Sequence, residues 1–147
     1  MRRFRSLLGV VLAFACAFLV SCSNATEVKP PTYTSTQLEQ IQQYVSEIEA
    51  NSDRLPELAK LIQNENWTFV KNFIHGPLGD LRAKMSQIER NLLPNDKPKA
   101  RTASKQVFED LVNMDAAAQA QDYKTTIRSY AALQKDINAF LDLTPKG

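Results

Sequence analysis

The run 67-WTFVKNFIHGPLGDLRAKMSQIERNL-92 decides the fold. Its residues Trp67, Val70, Ile74, Leu78, Leu81, Met85, Ile88 and Leu92 recur at steps of three and four, the spacing that aligns side chains along one face of an α-helix. Gly76-Pro77 interrupts the run midway. The proline removes one amide donor, so a local bend is expected there, with the same face staying apolar on both sides.

The flanking segments repeat the pattern. Upstream, beyond a polar turn at Asn64-Glu65-Asn66, Leu38, Ile41, Val45 and Ile48 form an apolar stripe that Leu55, Leu58 and Ile62 continue past Pro56. Thr36-Gln37-Leu38-Glu39 reads as a capping box that starts this helix. Pro56 either kinks one long helix or opens a second segment capped by Ser52 or Asp53; a single broken element from about Thr36 to Gln63 is the expectation. Downstream, Pro94-Asn95-Asp96-Lys97-Pro98 is a loop, and Ala100, Ala103, Val107, Leu111 and Met114 make a third stripe, kept narrow by the alanines 116–118. After a turn at Gln121-Asp122, a fourth stripe runs through Tyr123, Ile127, Tyr130, Leu133, Ile137, Phe140 and Leu141. Four helical segments joined by short turns specify an all-α, up-down-up-down four-helix bundle over residues 36–147. No segment sustains a period of two, and glycine is nearly absent after residue 9, which argues against a sheet.

The N-terminal residues serve another purpose. Arg2, Arg3 and Arg5 precede an apolar stretch from Leu7 to Val20, followed by a small residue and a cysteine, the plan of a secretory signal. As a helix the stretch is about 21 Å long, short for a hydrocarbon core of about 30 Å. Leu19-Val20-Ser21-Cys22 resembles the bacterial lipobox, in which the cysteine thiol is acylated and becomes the new N-terminus. Residues 1–21 are thus expected to be a cleaved lipoprotein signal peptide, and Cys22 the lipidation site. Residues 22–35, polar and containing Pro30-Pro31, read as an extended tether.

Processing removes three of eighteen Lys and Arg and none of sixteen Asp and Glu, leaving fifteen against sixteen and a side-chain balance of −1. With charges mixed along the chain, nucleic acid is not an expected partner. Cys16 leaves with the signal and Cys22 is consumed by lipid, so the domain depends on packing without an internal disulfide.

No catalytic machinery is legible. His75 is the sole histidine, which excludes a two-histidine zinc site; beside Gly-Pro it reads as a structural residue capping a backbone carbonyl, and no metal ligands are assigned. Glu-x-x-His, phosphate-binding glycine loops and Cys-x-x-Cys are all missing. Glu47, Glu49, Glu57, Glu89, Glu109 and Asp110 read as a solvated face. Neither a cofactor nor a small-molecule substrate is expected, and the protein reads as a non-enzyme. Of the aromatic residues, Phe69 falls off the main stripe and is the candidate exposed contact.

The stretch Trp67 to Arg82 resembles the signature of the cyanobacterial PsbQ family. Phe108 with Leu111-Val-Asn-Met-Asp-Ala-Ala117, the residues Tyr123, Tyr130, Asp136 and Leu141, and the lipobox extend the resemblance over essentially the whole chain. It implies a non-catalytic extrinsic subunit of photosystem II, lipid-anchored on the lumenal side of the thylakoid membrane. Such a subunit would contact other lumenal subunits, support oxygen evolution and calcium and chloride retention, and bind no part of the manganese-calcium cluster. The plant proteins lack the anchor, so contacts of their N-terminal region do not transfer. The resemblance marks Asn72, His75, Asp80 and Arg82, together with Phe69 from the periodicity, as partner-binding candidates, and Trp67, Gly76, Pro77 and Gly79 as structural ones. The competing reading is a lipid-anchored assembly factor that binds a small ligand or metal; it would require an internal cavity lined by converging polar groups.

Overall fold

The structure, a computed structural model, describes residues 31–146. The expected signal peptide 1–21, the expected lipidation site Cys22 and the expected tether up to residue 30 lie outside the described residues. Among the described residues, six α-helices follow one another: α1 (Ser35–Ser52), α2 (Leu55–Gln63), α3 (Trp67–His75), α4 (Leu81–Asn91), α5 (Lys97–Gln119) and α6 (Tyr123–Leu141). They make four arms, because α1 with α2 and α3 with α4 are each one arm interrupted. α1 lies against α4 and α6, α2 against α3 and α6, and α5 against α3, α4 and α6, which closes the four arms into an antiparallel ring. No described helix is long and apolar enough to cross a membrane.

Local chemistry explains the boundaries, with two differences from the sequence reading. The first helix is capped by Thr34, not Thr36. Thr34 has the extended backbone an N-cap needs (φ −79°, ψ 157°), its side chain accepts from the Gln37 amide, and the Gln37 side chain accepts in return from the Thr34 amide at 3.0 Å. Thr36 is already inside the helix. Pro56 occupies the first turn of a separate helix, α2, where its missing N–H costs nothing; the cap is Arg54, whose side chain makes no capping bond.

The α2–α3 and α5–α6 turns share one device. Glu65 (φ 52°) and Gln121 (φ 57°) adopt the left-handed conformation just past a helix end. The amides of Glu65 and Asn66 donate to the carbonyls of Ile62 and Leu61, and those of Gln121 and Asp122 to the carbonyls of Ala118 and Ala117. These are Schellman closures built without glycine.

The core follows the stripes closely in the first two arms: Ile41, Ile48, Leu58, Ile62, Val70, Leu81, Met85 and Ile88 are fully buried. Each such side chain contributes roughly 1.5–3 kcal/mol. In the last two arms Ala100, Val107, Met114, Leu133, Ile137 and Phe140 of the expected stripes are buried, but the buried line also takes in small residues. Ser104, Thr126, Ser129, Ala117 and Ala118 are buried, while Tyr123 is 41% exposed. Small side chains let α5 and α6 approach closely, and Thr126 satisfies its hydroxyl by donating to the Asp122 carbonyl at 2.7 Å. The stripe expected from Tyr123 is thereby rotated toward small residues.

The expected tether also ends earlier than residue 35. Tyr33 packs against the core, its hydroxyl donates to Asp96 Oδ2 at 2.7 Å, and it accepts from the Leu93 amide at 3.3 Å. The N-terminal approach to the bundle is therefore pinned against the α4–α5 turn.

Candidate functional site

The residues carrying the sequence signature converge at the interruption between α3 and α4. There the chain turns tightly: Gly76 N–H donates to Asn72 O at 2.8 Å, Leu78 N–H to Phe73 O at 3.2 Å and Gly79 N–H to Gly76 O at 3.0 Å. Pro77, with no amide hydrogen, suits a turn that leaves donors unpaired. A Cβ on Gly76 would stand 2.8 Å from the Asn72 carbonyl oxygen, and one on Gly79 would collide with the His75 carbonyl oxygen. Both obstacles are backbone, so neither position has room for a side chain.

Beside this turn the facing surface of α5 is left partly uncovered. A groove of about 600 Å³ results, walled by Ile74, His75, Leu78 and Arg82 on one side and by Phe108, Leu111, Val112 and Asp115 on the other. Val112 is 67% exposed, high for a valine. Two polar contacts bridge the walls. His75 Nε2 lies 2.9 Å from Asp115 Oδ1, and Lys71 Nζ donates to Gln119 Oε1 at 2.9 Å. The Arg82 guanidinium sits 4.9 Å from the centroid of the Phe108 ring, a cation–π contact worth about 0.5–1 kcal/mol at an exposed site. His75 thus meets a carboxylate on α5, where the sequence suggested a backbone carbonyl.

The candidate residues separate into four positions. His75, Gly79 and Arg82 line the groove, and Gly76 and Pro77 complete the turn beside it. Trp67 is half-buried at the start of α3 and packs on the core. Asn72 and Phe69 are exposed on α3, Phe69 to 57%, but neither lines the groove; at 3.6 residues per turn Phe69 lies roughly 120° around the helix from His75.

Asp80 faces the other way and ties α4 to α1. Its Oδ1 accepts from Asn51 Nδ2 at 3.1 Å, and its Oδ2 is 2.8 Å from Lys84 Nζ, which also reaches Glu47 at 3.8 Å. Partial burial opposes ionisation of Asp80, but Lys84 and Asn51 outweigh it and hold the carboxyl below its ordinary pKa.

Sequence reading missed Val112 and Asp115 as groove residues, and it placed two carboxylates wrongly on a solvated face. Glu89 is largely covered and accepts from the Ser104 hydroxyl. Asp110 has one carboxylate oxygen buried without a partner. Burial, then the neighbouring Asp136, push its pKa up to about 6, with Glu109 adding to the shift and Lys135 opposing it. Among the described residues no group of three or more His, Cys, Asp or Glu is placed to hold a metal ion.

Comparison with known proteins is consistent across the length of the chain. The family model described as PsbQ, oxygen evolving enhancer protein 3, matches residues 2–145. A protein named CyanoQ, from Synechocystis sp. (strain ATCC 27184 / PCC 6803 / Kazusa), is 38% identical over 147 residues, covering 99% of each chain.

Proposed function

The chain belongs to the PsbQ family of oxygen evolving enhancer proteins and is an extrinsic photosystem II subunit that supports oxygen evolution; from that premise we propose that it acts as a non-catalytic brace, docking through the groove between the α3–α4 turn and α5. One observation carries the choice of face. The two segments on which the sequence resemblance rests, Trp67–Arg82 and Phe108–Ala117, are far apart in sequence yet meet along this groove. The groove offers apolar area in Leu78, Leu111 and Val112, a cation in Arg82 and a polar bridge in His75–Asp115. A hydrophobic centre with polar groups around it is the composition of a protein contact.

The proposed consequence is mass action. A bundle that binds only the assembled lumenal surface stabilises that state, and so slows loss of calcium and chloride from it, without touching the metal cluster. Acylation of Cys22 would hold the protein on the lumenal side of the thylakoid membrane and raise its concentration at that surface. One acyl chain gives marginal attachment, whereas two or more give stable anchoring.

The test is co-isolation. With a tag after Gly147, the protein recovered from mildly solubilised thylakoid membranes is expected to bring oxygen-evolving photosystem II with it, and Cys22→Ser to lower the yield. Arg82→Glu is expected to abolish co-isolation while leaving the helical circular dichroism unchanged. Undiminished recovery with Arg82→Glu would move the contact to another face.

A further inference from the structure

The charges of α5 are arranged against the helix's own interest. Between residues 90 and 105 stand five cations, Arg90, Lys97, Lys99, Arg101 and Lys105, and one carboxylate, Asp96; between 108 and 122 stand four carboxylates and no cation. A helix dipole favours acidic groups near the N-terminus and basic groups near the C-terminus. The first turn of α5 carries no acid and the last turn no base. Helix stability accounts for Arg90, in the last turn of α4, but not for the pattern along α5, and the basic half is also poorly neutralised. Arg90 bonds only to Ser86 of its own helix, and Lys97 donates to the Arg90 carbonyl at 2.9 Å. Among the described residues neither they nor Lys99 has a carboxylate within 4.0 Å. Asp96 is occupied by Tyr33, and Glu89 by Ser104 and Arg101. Arg101 and Lys105 do have acidic neighbours, at 3.7 Å and 3.5 Å, but both cations are 76% exposed.

The location of this cluster supplies a second observation. Tyr33, the residue that pins the chain as it enters the bundle, bonds to Asp96 and Leu93 within the same α4–α5 turn. Cys22 is eleven residues upstream, so an acyl anchor there would keep Tyr33 within about 36 Å of the membrane surface. The basic cluster is thus the part of the bundle beside the anchored end.

We propose that Arg90, Lys97, Lys99, Arg101 and Lys105 form a membrane-facing surface that rests on anionic lipid headgroups and orients the bundle on the bilayer. The acyl chains then set the distance from the membrane and the basic face sets the orientation. Fourteen residues separate Arg101 from Asp115, so the far end of the groove stands roughly 21 Å farther along α5, while its near end at Phe108 adjoins Lys105. Basic residues next to an anchor are attracted to anionic headgroups, and salt screens the attraction. This inference rests on the lipid-anchor reading, and the experiment separates the two.

The full lipidated protein would be reconstituted on neutral phosphatidylcholine vesicles and on vesicles containing 30% phosphatidylglycerol, a lipid fraction of about one third. Lysines would then be acylated with a membrane-impermeant reagent and read by mass spectrometry. Attachment to the neutral vesicles establishes the anchor, and its absence would overturn that reading first. Given attachment, Lys97, Lys99 and Lys105 are expected to react roughly fivefold more slowly on the anionic vesicles, with Lys71 and Lys124 unaffected. High salt, or the double substitution Arg90→Gln and Arg101→Gln, is expected to remove the protection. Equal reactivity on both vesicles would overturn the proposal. Protection confined to membranes containing photosystem II would also overturn it, in favour of an acidic protein surface.

Discussion

The first two arms of the bundle are broken and the last two are not. α1–α2 is interrupted at Asp53-Arg54 and α3–α4 at residues 76–80, whereas α5 and α6 run unbroken for 23 and 19 residues. The continuous arms pair closely through small side chains and hold one side of the core. The broken arm α3–α4 turns its backbone at Gly76 and Gly79 and uncovers part of α5, which makes a groove. The lesson is a division of labour: continuous helices supply rigidity, and an interruption supplies a surface that an unbroken helix would have filled.

The sharpest way to break this comparison is to damage the continuous side. Leu133 is fully buried on α6, and Leu133→Ala is expected to lower stability by about 3 kcal/mol, read as a shift in the urea midpoint. A loss below 1 kcal/mol would deny the continuous pair its role. Gly79→Ala damages the broken side instead. The new methyl group meets a backbone carbonyl, so a loss of about 2 kcal/mol is expected, together with loss of photosystem II co-isolation even where the protein stays folded.

Asp110, at the seam of the continuous pair, gives a smaller and pH-dependent effect. Its folded pKa, about 6, is raised above the ordinary value of 3.8. The penalty for ionising it in the fold is therefore complete above about pH 6 and disappears as pH falls toward 4. Asp110→Asn is expected to stabilise the bundle at pH 7 by about 1 kcal/mol, a figure reduced for solvent screening, and to lose that advantage by pH 4. Denaturant titrations at the two pH values would check it, and a constant difference would contradict it. Smallest of all, Glu65→Gly and Gln121→Gly should each stabilise by about 0.5–1 kcal/mol, because glycine enters the left-handed region without strain. Thermal unfolding would show a small rise in midpoint.

The same contrast explains what the sequence made legible. In α3–α4 most of the large apolar residues are also the buried ones, so periodicity located the core and Gly76-Pro77 the interruption. In α5 and α6 the buried line takes in Ser104, Ala117, Thr126 and Ser129 beside Val107, Met114, Leu133, Ile137 and Phe140, and a search for large apolar side chains passes over the first four. That is why Tyr123 was placed in the core and proved exposed. Thr34 was passed over as a cap because Thr36 lies closer to the first apolar residue, while the backbone geometry that decides between them is not a property of composition. At the groove, His75 and Arg82 stood out as polar residues within a family-like motif. Val112 and Asp115 did not, because what makes them groove residues is the turn between α3 and α4, distant in sequence but part of the same groove.

The most direct test of the docking face uses a photo-crosslinking amino acid at Val112, in the groove wall, and at Gln134, exposed on α6. Irradiation of intact thylakoid membranes should join position 112, and not position 134, to a lumenal photosystem II subunit. Crosslinks from position 134 alone, with none from 112, would contradict the assignment of the groove as the docking face.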